Sequence, residues 1–238
     1  MSADKRIFIA LDYPTAREAE QLLAHWDQTS KPAIKVGYQL FYAVGPRWVA
    51  ERKAEGYTVF LDLKLHDIPN TVANGVESLS GLGVDFLTIH ASGGRAMIAA
   101  AREMAERKSQ AGKRLRLLGV TQLTSTDQTM MNEEIGIPGT VKESVLHYTQ
   151  LAYAAGADGV ICSAHEARDV KAHSGSDFLA VTPGIRPKGV DAGDQKRIMT
   201  PSEAIRHGAD YLVVGRAITA AANPKQAYEA IVAEINQG

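Results

Sequence analysis

One cysteine, Cys162, stands among 238 residues. A lone thiol excludes an intrachain disulfide and suits a reducing compartment. Charge of one sign is also missing: there are 26 Lys and Arg against 27 Asp and Glu, a net charge of -1. That balance lacks the broad basic surface of a nucleic-acid binder, so any anion site has to be local. Long apolar runs are absent. The N-terminal segment offers only residues 7–11, too short for a signal-peptide core or a membrane span. A cytoplasmic protein with no membrane attachment is the expectation. There is no GxGxxG after the first apolar run and no Walker phosphate loop, which disfavours nucleotide-binding open sheets. The histidines show no HExxH spacing, and no GxSxG elbow occurs.

Short apolar runs, by contrast, recur eight times, at residues 7–11, 33–36, 59–63, 86–89, 115–120, 159–162, 178–181 and 211–214. Most are rich in Val, Ile, Leu and Phe and do not alternate cleanly, as in strands covered on both faces. Helical patterns lie between them, at 16–26, 47–55, 72–79, 97–108, 145–155 and 224–235, several opened by a cap or an early proline (Thr15, Thr200-Pro201, Asn223-Pro224). A small unit repeats directly before three of the runs: Gly83-Val84-Asp85, Gly156-Ala157-Asp158 and Gly208-Ala209-Asp210. Glycine closes a helix in the left-handed conformation, so this reads as one αβ loop used three times. No linker divides the chain. The expectation is a single (β/α)8 TIM-barrel domain over residues 1–238, with a doubly wound sheet as competitor.

The stretch FLDLKLHDIPNT, residues 60–71, begins as a buried strand and then carries Asp62, Lys64 and Asp67. In a barrel the active site lies at the carboxyl ends of the strands. Polar residues gather there: Asp12 after the first run, Lys35 in the second, Asp62 and Lys64 in the third, His90 after the fourth, Thr121 and Thr124 after the fifth, Arg186 after the seventh, and Gly215-Arg216 after the eighth. Asp62 and Lys64 are two residues apart and share a face of the strand. If that face is the lumen, Lys35 joins them from the neighbouring strand. Opposite unit charges about 4 Å apart attract by roughly 4 kcal/mol at an effective dielectric near 20, which would keep the groups ionised despite burial. The plain alternative is a structural ion-pair network.

Barrels often bind phosphate with the loops after strands seven and eight. Here those loops read TPGIRPKGVDAGDQKR, with Arg186, Lys188, Lys196 and Arg197, and VGRAI, with Gly215 and Arg216 at a helix start that favours an anion. A solvated loop and a surface arginine would be the structural alternative. His66 is expected in packing or at the rim, His90 as a satisfied core histidine or, alternatively, on the floor of the site, Cys162 as a small core residue, and Trp26 and Trp48 as packing on helices.

The pattern Asp62-x-Lys64-x-x-Asp67-Ile68-Pro69-x-Thr71 resembles the signature of the orotidine 5'-phosphate decarboxylase family in its bacterial form. The resemblance runs over nearly the whole chain, through IALD with Asp12, IKVG with Lys35, VTQLTS with Thr124, TPGIRP with Arg186, DQKR with Gln195 and VVGRAI with Gly215 and Arg216. It implies a cofactor-independent homodimer of TIM barrels, without a metal, whose active sites lie at the subunit interface. Lys64 would be the proton donor, in a charged array with Asp62 and Lys35. Asp67 and Thr71 would come from the partner subunit. Asp12 and Lys35 would hold the ribose hydroxyls and Thr124 the pyrimidine edge. Gln195, Arg216 and Arg186 would grip the phosphate. Ile68 and Gly215 fall in the same substrate-binding set. The implied reaction is loss of CO2 from orotidine 5'-monophosphate to give uridine 5'-monophosphate, the last step of de novo UMP synthesis. The buried charges would then meet a carbanion with no easy delocalisation.

The DxKxxD core alone is shared with metal-dependent sugar-phosphate relatives, the 3-keto-gulonate 6-phosphate decarboxylases and hexulose-phosphate synthases. A further alternative is an inactive barrel that only binds a phosphorylated ligand, against which the intact Lys64 stands.

Overall fold

A computed structural model describes residues 3–109, 112–187 and 197–237. The apolar runs form eight strands: β1 (Ile7–Ala10), β2 (Ala33–Gly37), β3 (Thr58–Leu65), β4 (Phe86–His90), β5 (Arg116–Val120), β6 (Gly159–Ile161), β7 (Leu179–Thr182) and β8 (Tyr211–Val214). They pair in chain order, and β8 pairs back onto β1, so the parallel sheet closes into a barrel with no free edge. The helices are α1 (Ala16–Leu23), α2 (Tyr38–Ala54), α3 (Pro69–Ser80), α4 (Gly94–Arg107), α5 (Val141–Ala154), α6 (Ala167–Ser174), α7 (Pro201–Arg206), α8 (Arg216–Thr219) and α9 (Pro224–Gln237). This is the (β/α)8 TIM barrel expected from the alternation of runs.

The lack of clean alternation has a simple cause. Outward residues such as Ile7, Ile9, Ile34, Val36, Val59 and Leu61 are buried in the main core that the helices share. Inward residues Phe8, Ala10, Ala33, Phe60, Phe86, Leu118, Val181 and Val213 form a second core in the lumen. Phe8, Phe60 and Phe86 meet edge to face there, with ring centroids 5.3, 5.4 and 6.2 Å apart. Burial of each is worth about 1.5–3 kcal/mol. This plug is the floor on which the next inward layer stands: Asp12 follows Ala10, Lys35 follows Ala33, Asp62 follows Phe60 and Thr88 follows Phe86, each two residues on.

The repeated Gly-x-Asp unit is one loop used three times. Gly83, Gly156 and Gly208 have φ of 70, 86 and 97°, the left-handed conformation open to glycine. The aspartates that follow accept the backbone N–H of the preceding strand: Asp85 from Val59 at 2.7 Å, Asp158 from Leu117 at 2.7 Å and Asp210 from Ala180 at 2.7 Å. Each also pairs with a cation, Lys53, Arg114 and Lys171 respectively. These clamps fasten the end of the barrel opposite the charged layer.

Boundaries depart from expectation where local geometry intervenes. α1 stops at Leu23, and Trp26 packs in the turn beyond it, edge-on to Tyr228 at 5.8 Å. α2 starts at Tyr38 and breaks at Gly45 (φ 73°), so only its second half matches the 47–55 pattern. α3 begins three residues early because Pro69 takes the first helical position. The eight-residue α6 carries too short a pattern to announce itself. Among the described residues no helix is long and apolar enough to cross a membrane.

Candidate active site

Asp12, Lys35, Asp62 and Lys64 form one chain of charges at the carboxyl end of the barrel. Lys35 Nζ lies 3.0 Å from Asp12 Oδ1 and 3.4 Å from Asp62 Oδ2; Asp62 Oδ1 lies 2.8 Å from Lys64 Nζ. The strand order makes this arrangement, since β2 sits between β1 and β3. Gly37 leaves room for it: a Cβ there would come within 3.1 Å of Lys35 Nζ and 3.2 Å of Asp12 Oδ1. The Lys35 side chain is only 9% exposed and that of Asp62 15%, so the charges persist through each other. Burial alone would raise the Asp62 carboxyl, but Lys35, Lys64 and Thr88 outweigh it and hold it below the ordinary carboxylate value. Burial alone would likewise lower Lys35, and Asp62 with Asp12 holds it above the usual lysine value.

The end of β3 is not a regular strand. Leu61 pairs with Leu87 and Leu65 with Ile89, so Asp62, Leu63 and Lys64 together oppose Thr88 alone. Lys64 takes φ of +49°, and it is the sole non-glycine residue at positive φ among the described residues. Such a conformation costs about 1–3 kcal/mol. Same-side placement of Asp62 and Lys64 is therefore achieved through a bulge rather than through plain alternation. Thr88, fully buried, donates its hydroxyl to Asp62 Oδ1 at 3.0 Å and accepts the Lys64 backbone N–H at 2.8 Å. The Lys64 ammonium also lies 5.7 Å from the centre of the Tyr38 ring.

Above the charges opens a cavity of about 510 Å³. Asp62 and Lys64 line it, as do Thr124 and Gln122 from the loop after β5, and Arg186, Gly215 and Arg216 from a wall formed by the loops after β7 and β8. Arg186 is buried and Arg216 exposed. The helix that Arg216 opens has four residues, so the anion-attracting element of this wall is the pair of guanidinium groups rather than a helix dipole. Gln195, with Lys188 and Lys196, lies outside the described residues.

Arg197 is not part of that wall. It makes an ion pair with the buried Glu166 and donates to the backbone carbonyls of Leu123 at 3.0 Å and Gln122 at 3.4 Å. Glu166 in turn accepts the Ser163 N–H at 2.8 Å. The loops after β5, β6 and β7 are tied together at this point.

Eight of the twelve residues singled out from the sequence line the cavity: Asp12, Lys35, Asp62, Lys64, Thr124, Arg186, Gly215 and Arg216. Asp67, Ile68 and Thr71 do not; they are exposed, and Asp67 Oδ1 accepts its neighbour's N–H, from Ile68 at 2.6 Å. His90 is half-buried rather than a core histidine. Its ring lies 5.1 Å from that of the exposed His66, and burial, then His66 and Lys64, hold it below its ordinary value. Cys162 is buried, and burial pushes its thiol up, as in an inert core cysteine. Two residues went unnoticed in the sequence, Thr88 and Gln122. The signal was present in strand parity, because each stands two positions beyond a lumenal residue, Phe86 and Val120.

The sequence profile described as "Orotidine 5'-phosphate decarboxylase / HUMPS family" matches residues 5–231. A protein of Lactococcus lactis subsp. cremoris named orotidine 5'-phosphate decarboxylase is 48% identical over 235 residues, covering 98% of this chain and 99% of its own length. One of the same name from Streptococcus mutans is 48% identical over 233 residues, with 98% and 99% covered. The crystal structure of the orotidine 5'-phosphate decarboxylase from Lactobacillus acidophilus superposes with a TM-score of 0.87 at 40% identity, covering 98% of this chain and all of that one.

Proposed function

The chain belongs to the orotidine 5'-phosphate decarboxylase / HUMPS family, and from that premise we propose that it converts orotidine 5'-monophosphate to uridine 5'-monophosphate and CO2. The observation that carries the reading is the Asp12–Lys35–Asp62–Lys64 chain on the cavity floor, facing Arg186 and Arg216 across the opening. A nucleotide fits this polarity, with its ring toward Lys64 and its phosphate toward the arginines. Asp12 and Lys35 take the ribose hydroxyls and Thr124 the pyrimidine edge. Gln195 joins the phosphate contacts.

As the bond from C6 to the carboxylate breaks, its electron pair stays on C6 and CO2 departs. The Lys64 ammonium, already positioned, stabilises that charge and delivers its proton to C6. Solvent then reprotonates the lysine. Asp62 keeps the ammonium in place and confronts the substrate carboxylate with a second negative charge. No cofactor is required. The metal-dependent sugar-phosphate reading fits less well, because each oxygen of Asp62 already faces an ammonium group, Lys64 at Oδ1 and Lys35 at Oδ2, which offset the negative charge that a divalent cation would seek. We place the enzyme in the cytoplasm, in keeping with its single buried thiol.

Spectrophotometric assay of orotidine 5'-monophosphate consumption in the presence of a chelator tests the reading. Turnover is expected to persist with chelator. Lys64→Ala should lose on the order of 10²–10⁴-fold in kcat or more, while still binding uridine 5'-monophosphate. Chelator-sensitive turnover of a sugar phosphate in place of the nucleotide would overturn it.

A further inference from the structure

We propose that Thr88 is the positioning residue that sets the proton donor: its hydroxyl holds the Lys64 backbone in the left-handed conformation and, at the same time, turns Asp62 toward the Lys64 ammonium. The inference rests on the decarboxylase reading and concerns a residue on the neighbouring strand rather than one in the charged array.

The register supplies the reason. Three residues of β3 oppose Thr88 alone, so the bulge removes regular ladder partners from this stretch of backbone. The Lys64 N–H finds the Thr88 hydroxyl at 2.8 Å in their place. Having accepted that bond, the hydroxyl directs its own proton to Asp62 Oδ1 at 3.0 Å, the same oxygen that holds Lys64 Nζ at 2.8 Å. Backbone and side chain of Lys64 are thus fixed through one buried atom. A hydroxyl is needed because it both accepts and donates. An alanine or valine would leave the N–H without its partner and the carboxylate free to rotate, and lysine has no preference of its own for φ of +49°.

The test compares Thr88→Val, which keeps the shape, with Thr88→Ser, which keeps the hydroxyl. Thr88→Val is expected to lower kcat by on the order of 10–100-fold, as small misplacements of a reacting group do, with uridine 5'-monophosphate affinity held within about threefold. Thr88→Ser should recover most of the loss. A crystal structure of Thr88→Val should show Lys64 out of the left-handed region. If Thr88→Val does not fold, Thr88→Cys, of similar volume but weak hydrogen bonding, should show an intermediate loss. Wild-type kcat in the valine or cysteine variant, or a Lys64 backbone that stays left-handed without the hydroxyl, would overturn the assignment. If the wild type itself fails to turn over orotidine 5'-monophosphate, the decarboxylase reading fails, and the structural comparison still decides the role of Thr88.

Discussion

At Asp62 a single carboxylate holds two ammonium groups, and the balance has a pH signature. Its carboxyl lies below the ordinary 3.8, so the stability it contributes is complete above that pH and is lost as pH falls through the lower folded value. Lys35 lies above its ordinary 10.5, so its contribution is complete below that pH and is lost as pH rises through the higher folded value. Asp62→Asn removes the carboxylate that titrates and the foremost partner of Lys35. Its urea midpoint should therefore change less with pH than the wild type's at both the acid and the alkaline limit. Parallel curves for variant and wild type would show that other groups carry the linkage. The charged residues themselves were legible in the sequence, since Asp62 and Lys64 interrupt an apolar run that has no structural use for them. The left-handed backbone at Lys64 was not, because no residue type there signals positive φ.

The elements divide between two ends. The charged layer sits where the strands finish, and the three Gly-x-Asp clamps sit where they begin. Asp158 fastens the Leu117 N–H and the Arg114 guanidinium and does not line the cavity. Asp158→Ala should cost about 1–3 kcal/mol, the usual penalty for an abandoned buried donor, seen as a lower urea midpoint at constant slope. The kcat of the folded variant should match the wild type. A fall in kcat without a fall in midpoint would contradict this division. Strands and clamps could be read from the sequence because their periodicity and their glycines are local. The cross-tie from Arg197 to Glu166 could not, since it depends on which loops the closed barrel brings together. Arg197 read as a phosphate-loop cation for want of any local sign of Glu166, 31 residues away.

For the whole molecule, the exposed positions near the mouth matter most. Tyr38, Tyr42 and Ile68 are 52, 77 and 66% exposed, apolar surface of the kind that a second subunit covers. In the homodimer that the family resemblance implies, Asp67 and Thr71 would enter the partner's cavity, in keeping with their exposed position here. Mixing Lys64→Ala with Asp67→Ala, each inactive alone, should restore activity after subunit exchange, because a hybrid dimer holds one intact site and one doubly damaged site. Absence of recovery in proven hybrids would place the complete site within one chain.

The phenylalanine plug has a consequence for traffic. Phe8, Phe60 and Phe86 fill the lumen beneath the charges, so the cavity is a cul-de-sac whose floor is also the reaction centre. In the proposed pose, a nucleotide that enters ring-first would back out phosphate-first. The gas set free beside Lys64 would lie behind the nucleotide that released it, between that nucleotide and the charged layer that the rings support. Departure is thus a queue, in which the small product slips past the large one or waits until the large one has moved.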